Sequence, residues 1–408
     1  MSNTKTGRDL QKSIIKKPHI VFLSRILPFH SIGGMQAIAW DLARQFVRDG
    51  IRVTFLTTKI PNKPEKFVED GIEVVTLKNT IPGRYSFTWW KYSREYFEKN
   101  LIDSATGILS VSSAANSLLT LKKHLKEVPF LLQAHGTSLG EILSKWRTLQ
   151  PKAMISSVYN MVWLFKDLSM YNKYDYVVAV GERVYLDLTK PPISFFLPRE
   201  KVQLINNGID TKLFSSNKST NEEILQELGL GSENIIIISS SRLHKQKGID
   251  LSIKGFEKYA KKNPLARYLI IGDGPELPSL KKLVKTLGIS DKVFFLGAID
   301  RERLPNYLQL GDVFLFTTKH SEVGLTLNVL EAMAMGLPAI VSNHLTSVIK
   351  INTNNIIGVN PYDSEKIADL LAHVIDNREK YKNSLPYEYT LEYCAKQYYK
   401  LFGIVSSL

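Results

Sequence analysis

Arg242 and Lys247 stand five residues apart in SSSRLHKQKG, straight after the apolar run NIIII, and Gly248 closes the segment. A guanidinium with paired donors and a compact ammonium at a strand end can neutralise a diphosphate, although a solvated basic turn would be spelled the same way. Two carboxylates, Glu322 and Glu331, bracket VGLTLNVL. Glu331 has Leu330, Ala332, Met333 and Ala334 as neighbours; buried there it needs donors such as hydroxyl groups, and exposed it needs none. Glu322, in the preceding loop, reads as surface charge or as a hydroxyl acceptor. Neither their spacing nor their context makes the two an acid and base pair. His135, in LLQAHGTS, is a structural imidazole or a cleft-lining one. Gly272 and Gly274 in IGDGPE form a turn that admits a phosphate near a helix N-terminus or serves as a plain connector. Gly33 and Gly34 in SIGGMQ offer a similar anion site, but neither a full G-x-G-x-x-G nor a G-x-x-x-x-G-K-[ST] motif is present.

These residues fall at the ends of β-branched runs that alternate with amphipathic segments. HIVFLSRIL, IRVTFLTT, IEVVTL, GILSV, FLLQAHG and YDYVVAVG read as buried strands, and AIAWDLARQFVRDG reads as a helix stopped at Gly50. Prolines cluster in KPPISFFLPREKVQLINNGIDTKLF, and the rhythm then restarts with NIIIISSSR, ARYLIIGDG, KVFFLG and DVFLFTT separated by helical segments. Leu327 to Met335 are good helix formers, with Gly336 where a C-cap would sit. The pattern predicts two α/β domains in series with a boundary near residue 195, a cleft at the strands' carboxyl ends, and a Tyr-rich tail helix that packs back on the first domain.

The 408 residues suffice for two full cores, and 44% hydrophobic with 23% charged residues is a globular composition. The net charge of +14 points to anionic partners, yet no nucleic-acid reader motif accompanies it. One cysteine, Cys394, excludes an internal disulfide framework and suits a reducing compartment. Arg25 interrupts the first apolar stretch, so the leader does not read as a signal peptide. No apolar run reaches the roughly 18 residues of a spanning helix, so any membrane contact is expected to be peripheral.

In order, IGG, HGT, INNGIDTKLF, SRLHKQKG, IGDGPE, FLGAI, LQLGDVFLFTT and EVGLTLNVLEAMAMGLPAIVS resemble the retaining, sugar-nucleotide-dependent glycosyltransferases of the GT-B fold, in particular family 4 (glycosyl transferases group 1). The resemblance covers most of the chain. It implies an α/β GT-B architecture of two Rossmann-like doubly wound domains facing a cleft: an acceptor domain over 1–195, a donor domain over 196–387, and a helix about 388–408 returning to the first. Arg242 and Lys247 would then hold the donor diphosphate and offset the charge of the departing nucleotide without metal or cofactor. The ribose hydroxyls would fall to Glu331, and the donor sugar to Glu322 or the main chain beside it. Gly324, Leu325 and Thr326 would offer N–H groups to phosphate or sugar. His135 would lie under the anomeric centre, with Gly33 and Gly34 closing on the diphosphate, Gly272 and Gly274 lining the donor turn, and Asn207 and Gly208 at the crossover.

The reaction implied is retaining transfer from a UDP- or GDP-sugar to a lipid-linked or saccharide acceptor, in the cytoplasm or at an anionic membrane face. RYSFTWWKYSREYFEKN and KSIIKK suit such a face, and they equally suit a buried helix side with a solvated charged one. A sugar-nucleotide epimerase and a non-catalytic nucleotide-sugar-binding subunit are the rival readings. One departure stands out: the family separates its two glutamates by seven residues, whereas Val323 to Leu330 is eight. A one-residue shift turns a helical side chain by about 100°. Val323 therefore takes the first glutamate's place unless the loop through Gly324 bulges.

Overall fold

The computed structural model describes residues 17–31, 33–147, 151–215, 221–319, 325–347, 353–381 and 385–404. Its first sheet comprises β1 (His19–Ser24), β2 (Arg52–Thr58), β3 (Lys66–Glu69), β4 (Ile72–Leu77), β5 (Gly107–Val111), β6 (Phe130–Ala134), β7 (Tyr176–Ala179) and β8 (Val202–Leu204). Their spatial order is β3-β4-β2-β1-β5-β6-β7-β8, parallel except for the antiparallel β3–β4 pair. β1, β5 and β6 are buried at every position, as strands covered on both faces must be.

The second sheet is built from β9 (Ile235–Ser240), β10 (Ala266–Ile271), β11 (Val293–Gly297), β12 (Val313–Phe316), β13 (Ala339–Ser342) and β14 (Ile356–Val359). Its order β11-β10-β9-β12-β13-β14 is doubly wound, and every pairing in it is parallel. Strand order reverses between β9 and β12. The crevice at their carboxyl ends is where such a sheet receives ligands.

Three strands escape the sequence pattern. β3 is a mostly exposed edge strand, and β14 is only partly covered, so neither shows a continuous apolar run. β8 has three residues and pairs with β7, which carries the first sheet past the boundary expected near residue 195. Downstream of it the crossover is clasped by the tail: the Ile209 N–H donates to the Tyr389 carbonyl at 2.8 Å, and the Leu391 N–H donates to the Ile209 carbonyl at 2.9 Å.

The tail helix Leu391–Leu401 packs on the first-domain helix Gly34–Arg48. Phe46 meets Tyr399 with ring centroids 4.8 Å apart, the Gln133 side-chain amide donates to the Tyr398 hydroxyl at 2.9 Å, and Phe402 is buried in the first core. Burying such a side chain contributes about 2 kcal/mol, which ties the end of the chain to the first domain. Helix Phe87–Asn100 turns its aromatic face inward: Trp89 and Phe97 are fully buried, whereas Phe87, at its start, is exposed. Among the described residues no helix is long and apolar enough to cross a membrane.

Candidate functional site

The second domain presents a set of loops at the ends of β9, β10 and β12. Arg242 is exposed just beyond β9, and the Lys247 ammonium lies 5.6 Å from the Phe316 ring at the end of β12. The loop carrying them is fixed from its far end. Gly248 has φ +65°, and a Cβ there would stand 1.8 Å from the Thr317 carbonyl oxygen. The Thr317 hydroxyl donates to the Gly248 carbonyl at 3.0 Å, and the Lys319 N–H donates to Gln246 O at 2.9 Å. Glycine is thus required by both backbone conformation and contact.

Gly272 makes the neighbouring approach, with φ +128° and a Cβ position 1.9 Å from the Ser241 carbonyl oxygen. Ser241 N–H donates to Ile271 O at 3.0 Å and Leu243 N–H to Asp273 O at 2.8 Å, so the Gly272–Gly274 turn is stitched to the Arg242 loop. Both glycines therefore pack main chain against main chain, and the turn they form buttresses the two cations. The helix Leu327–Ala334 begins beside them. Thr326 is its N-cap residue, Leu325 is buried beneath it, and the Asn328 amide donates to the Ser240 carbonyl at 2.6 Å. Asn328, which sequence reasoning passed over, docks this helix start to the end of β9.

Glu331, one turn further along the same helix, is buried, and its Oε1 accepts from Nη1 of Arg301. Arg301 Nη2 donates to Asp41 Oδ2 at 2.8 Å, and Asp41 belongs to the first-domain helix Gly34–Arg48. Burial raises the pKa values of Asp41 and Glu331, with the Arg301 charge opposing it. For Arg301, burial works against the charge, but the two carboxylates outweigh it and hold its pKa above the usual value. Glu322 and Gly324, together with Val323, lie outside the described residues.

The first domain contributes an open cavity of about 810 Å³ at the carboxyl end of β6. His135 and Gly136 line it, and Gln246 reaches it from the Arg242–Lys247 loop of the other domain. The His135 Nε2 sits 2.9 Å from Gln133 Oε1, and burial lowers its pKa to about 4, so the imidazole is neutral near pH 7. Tyr85 and Trp163 form aromatic wall, while Arg25 and Arg84 bring guanidinium groups. Deeper in, Asp167 accepts from the Ser138 hydroxyl at 2.6 Å and the Ser113 hydroxyl at 3.3 Å, and burial raises its pKa. Such a wall offers acceptors, donors and flat apolar faces together, as a polyhydroxylated ring requires.

The remaining positions divide by location. Gly34 opens the helix Gly34–Arg48 with free space where a Cβ would stand, whereas Gly33 is extended and would only press on the flexible Gln36 side chain. Gly208 abuts the main chain of Thr390 and Leu391, which makes its glycine a packing requirement of the crossover, and Asn207 is half-buried beside it. Tyr85 belongs to the aromatic and basic stretch RYSFTWWKYSREYFEKN, whereas the cavity residues Asp167 and Trp163 were not foreseen, because they come from elements far from it in the chain. Asp41 did carry a signal: it sits between buried Trp40 and Leu42. Arg301 carried none, being one charge in the run DRER.

Comparison with known proteins matches both halves of this arrangement. The Glycosyltransferase Family 4 model matches residues 32–213, and the Glycosyl transferases group 1 model matches residues 220–389. An uncharacterised glycosyltransferase of Methanocaldococcus jannaschii is 27% identical over 84% of this chain and 85% of its own. The mannosylfructose-phosphate synthase of Agrobacterium fabrum is 34% identical over 44% of this chain, and the matched segment is 40% of that relative's length. Among solved structures, sucrose-phosphate synthase from Thermosynechococcus elongatus superposes with a TM-score of 0.72 at 18% identity, covering 95% of this chain and 98% of that one. Anabaena HepE, in complex with UDP-glucose, gives 0.65 at 18% identity, covering 95% and 96%. The two sheets and their order are those of the GT-B fold, and with the two family models meeting end to end across it the chain belongs to the family 4, group 1 glycosyltransferases.

Proposed function

We propose that this glycosyltransferase moves a sugar from a UDP- or GDP-sugar to a saccharide or lipid-linked acceptor, with retained anomeric configuration and without metal. One observation carries the reading. The Arg242–Lys247 loop is pinned to the end of β12 at Gly248 and reaches with Gln246 into the cavity that holds His135. Cations for a diphosphate and a wall for a polyhydroxylated acceptor thereby meet across one cleft. In this reading Arg242 and Lys247 stabilise the charge that develops on the leaving diphosphate, which is electrostatic catalysis by preset groups. Glu331 accepts from the ribose hydroxyls, and the N–H groups at Leu325 and Thr326 serve phosphate or sugar, with Gly324 sharing that role and Glu322 assigned to the donor sugar. The neutral His135 is suited to hydrogen bonding with sugar rather than to carrying charge. The leaving phosphate accepts the acceptor's proton, so no protein nucleophile takes part, and closure of the cleft keeps water from the donor.

The lipid-linked arm of the proposal draws on a patch beside the cavity. Leu143 lines it, and Trp146, Met161, Val162 and Phe165 are exposed on the mutually packed helices Ser138–Arg147 and Pro151–Tyr171. An apolar surface there suits a lipid tail or a peripheral contact with an anionic bilayer on the cytoplasmic side. The test is a screen of UDP-, GDP- and ADP-sugars for donor turnover, alone and with lipid-linked and soluble acceptors. Nucleotide release coupled to a glycosylated product is expected. Conversion of the nucleotide sugar to an epimer, or binding with neither transfer nor hydrolysis, would contradict the proposal.

A further inference from the structure

Arg301 is the joint of the molecule. One guanidinium serves Glu331 of the second domain and Asp41 of the first, with side-chain exposures of 20% for Arg301, 5% for Glu331 and 2% for Asp41. It also lies 5.2 Å from the Phe214 ring of the crossover segment. Its Nε is buried without a hydrogen-bond partner. As a pure stabiliser this is a poor arrangement, because one cation is shared between two buried carboxylates, with Arg44 adding to it only at Asp41, and apolar packing would serve as well. As part of a binding site it makes sense. Arg301 fixes Glu331 through Oε1, and a carboxylate so held has lone pairs left for further donors, which vicinal hydroxyls supply.

We infer that Arg301 is a positioning residue for the donor, holding Glu331 in register for the ribose hydroxyls and tying that register to Asp41 on the opposite domain. The inference rests on the nucleotide-sugar reading above. Its physical content is a coupling between domains. Asp41 lies seven residues, about 10 Å, along the helix that starts at Gly34. The same bridge therefore sets both the carboxylate assigned to the ribose and the helix whose first turn meets the cavity-lining Ser112 through Met35. A first-domain residue with no contact to nucleotide then governs how strongly the ribose is recognised.

The experiment is calorimetric titration with UDP, GDP and ADP, each beside its 2′,3′-dideoxy counterpart, for the unaltered protein and for R301Q, R301K and D41N. The best-binding base is used for the comparison. The unaltered protein is expected to prefer the ribonucleotide about 10-fold, the loss expected for a hydrogen bond to a charged group. That preference is expected to fall close to one in R301Q, to recover in part in R301K, and to shrink in D41N. A role confined to stability would shift melting temperature and leave the ratio alone. A preference unchanged in folded R301Q, or unchanged in D41N should R301Q not fold, overturns the inference. A ribonucleotide bound without preference by the unaltered protein overturns it together with the ribose role of Glu331, while leaving the diphosphate and transfer reading intact, and no binding of any nucleotide removes the donor reading and this inference together.

Discussion

The two sides of the cleft are built by different means. On the second domain the cations stand on loops that are held by their own main chain: Gly248 against Thr317, Gly272 against Ser241, and the helix start at Asn328 against Ser240. On the first domain the cavity is assembled from side chains of distant segments, with Asp167, Ser138, Ser113, Tyr85 and Trp163 converging on His135. Main-chain packing demands particular glycines at particular spacings, whereas a side-chain wall can be made from many combinations. The second-domain side is therefore fixed in form, and in the proposed reading the first-domain wall is the side free to vary with the acceptor.

If that contrast is right, Arg242→Ala removes charge from a scaffold that stands without it. We expect kcat to fall about 100-fold or more with the melting temperature unchanged, read by steady-state kinetics and thermal unfolding. Gly248→Ala should do the reverse, since a Cβ there meets the Thr317 carbonyl and the left-handed backbone disfavours a side chain. A loss of about 1–3 kcal/mol in unfolding free energy is expected, with activity falling alongside it. A smaller effect belongs to the acceptor wall. Asp167→Asn keeps the shape but weakens hydrogen bonding to acceptor hydroxyls, so acceptor KM should rise about 10-fold with donor KM unchanged.

A further effect, on stability alone, is a pH dependence. Burial lowers the pKa of both His19 and His135 to about 4, from an ordinary 6.5. The unfolded chain therefore binds more protons between these values, so stability is full above pH 6.5 and is lost as the pH falls towards 4. Melting temperatures across that window should decline, and His19→Gln should flatten the decline. A decline as steep in His19→Gln as in the unaltered protein would contradict the buried, neutral state of the His19 ring.

The same contrast explains what could be read before any coordinates. The buried parallel strands announce themselves as runs such as HIVFLS and NIIII, and the loops at their ends carry glycines that packing requires. β8 did not, because three residues in a proline-flanked stretch have no period, and the first sheet accordingly extends beyond residue 195. Glu331 was conspicuous as a carboxylate among core residues. Its partner Arg301 was invisible, since nothing in DRERLP distinguishes a guanidinium that crosses between domains from one in solvent. Trp89 shows the limit of composition: the aromatic run around it suits a membrane face as readily as a core, and its side chain is wholly internal.

We propose that nucleotide and acceptor are bound by opposite, separable sides of one cleft. The most direct measurement is the nucleotide binding isotherm of the unaltered protein, Arg242→Ala and Asp167→Asn, with UDP and GDP as probes. Affinity is expected to be at least about 10-fold weaker in Arg242→Ala and unchanged in Asp167→Asn. Equal weakening in both variants, or nucleotide affinity indifferent to Arg242, would contradict it.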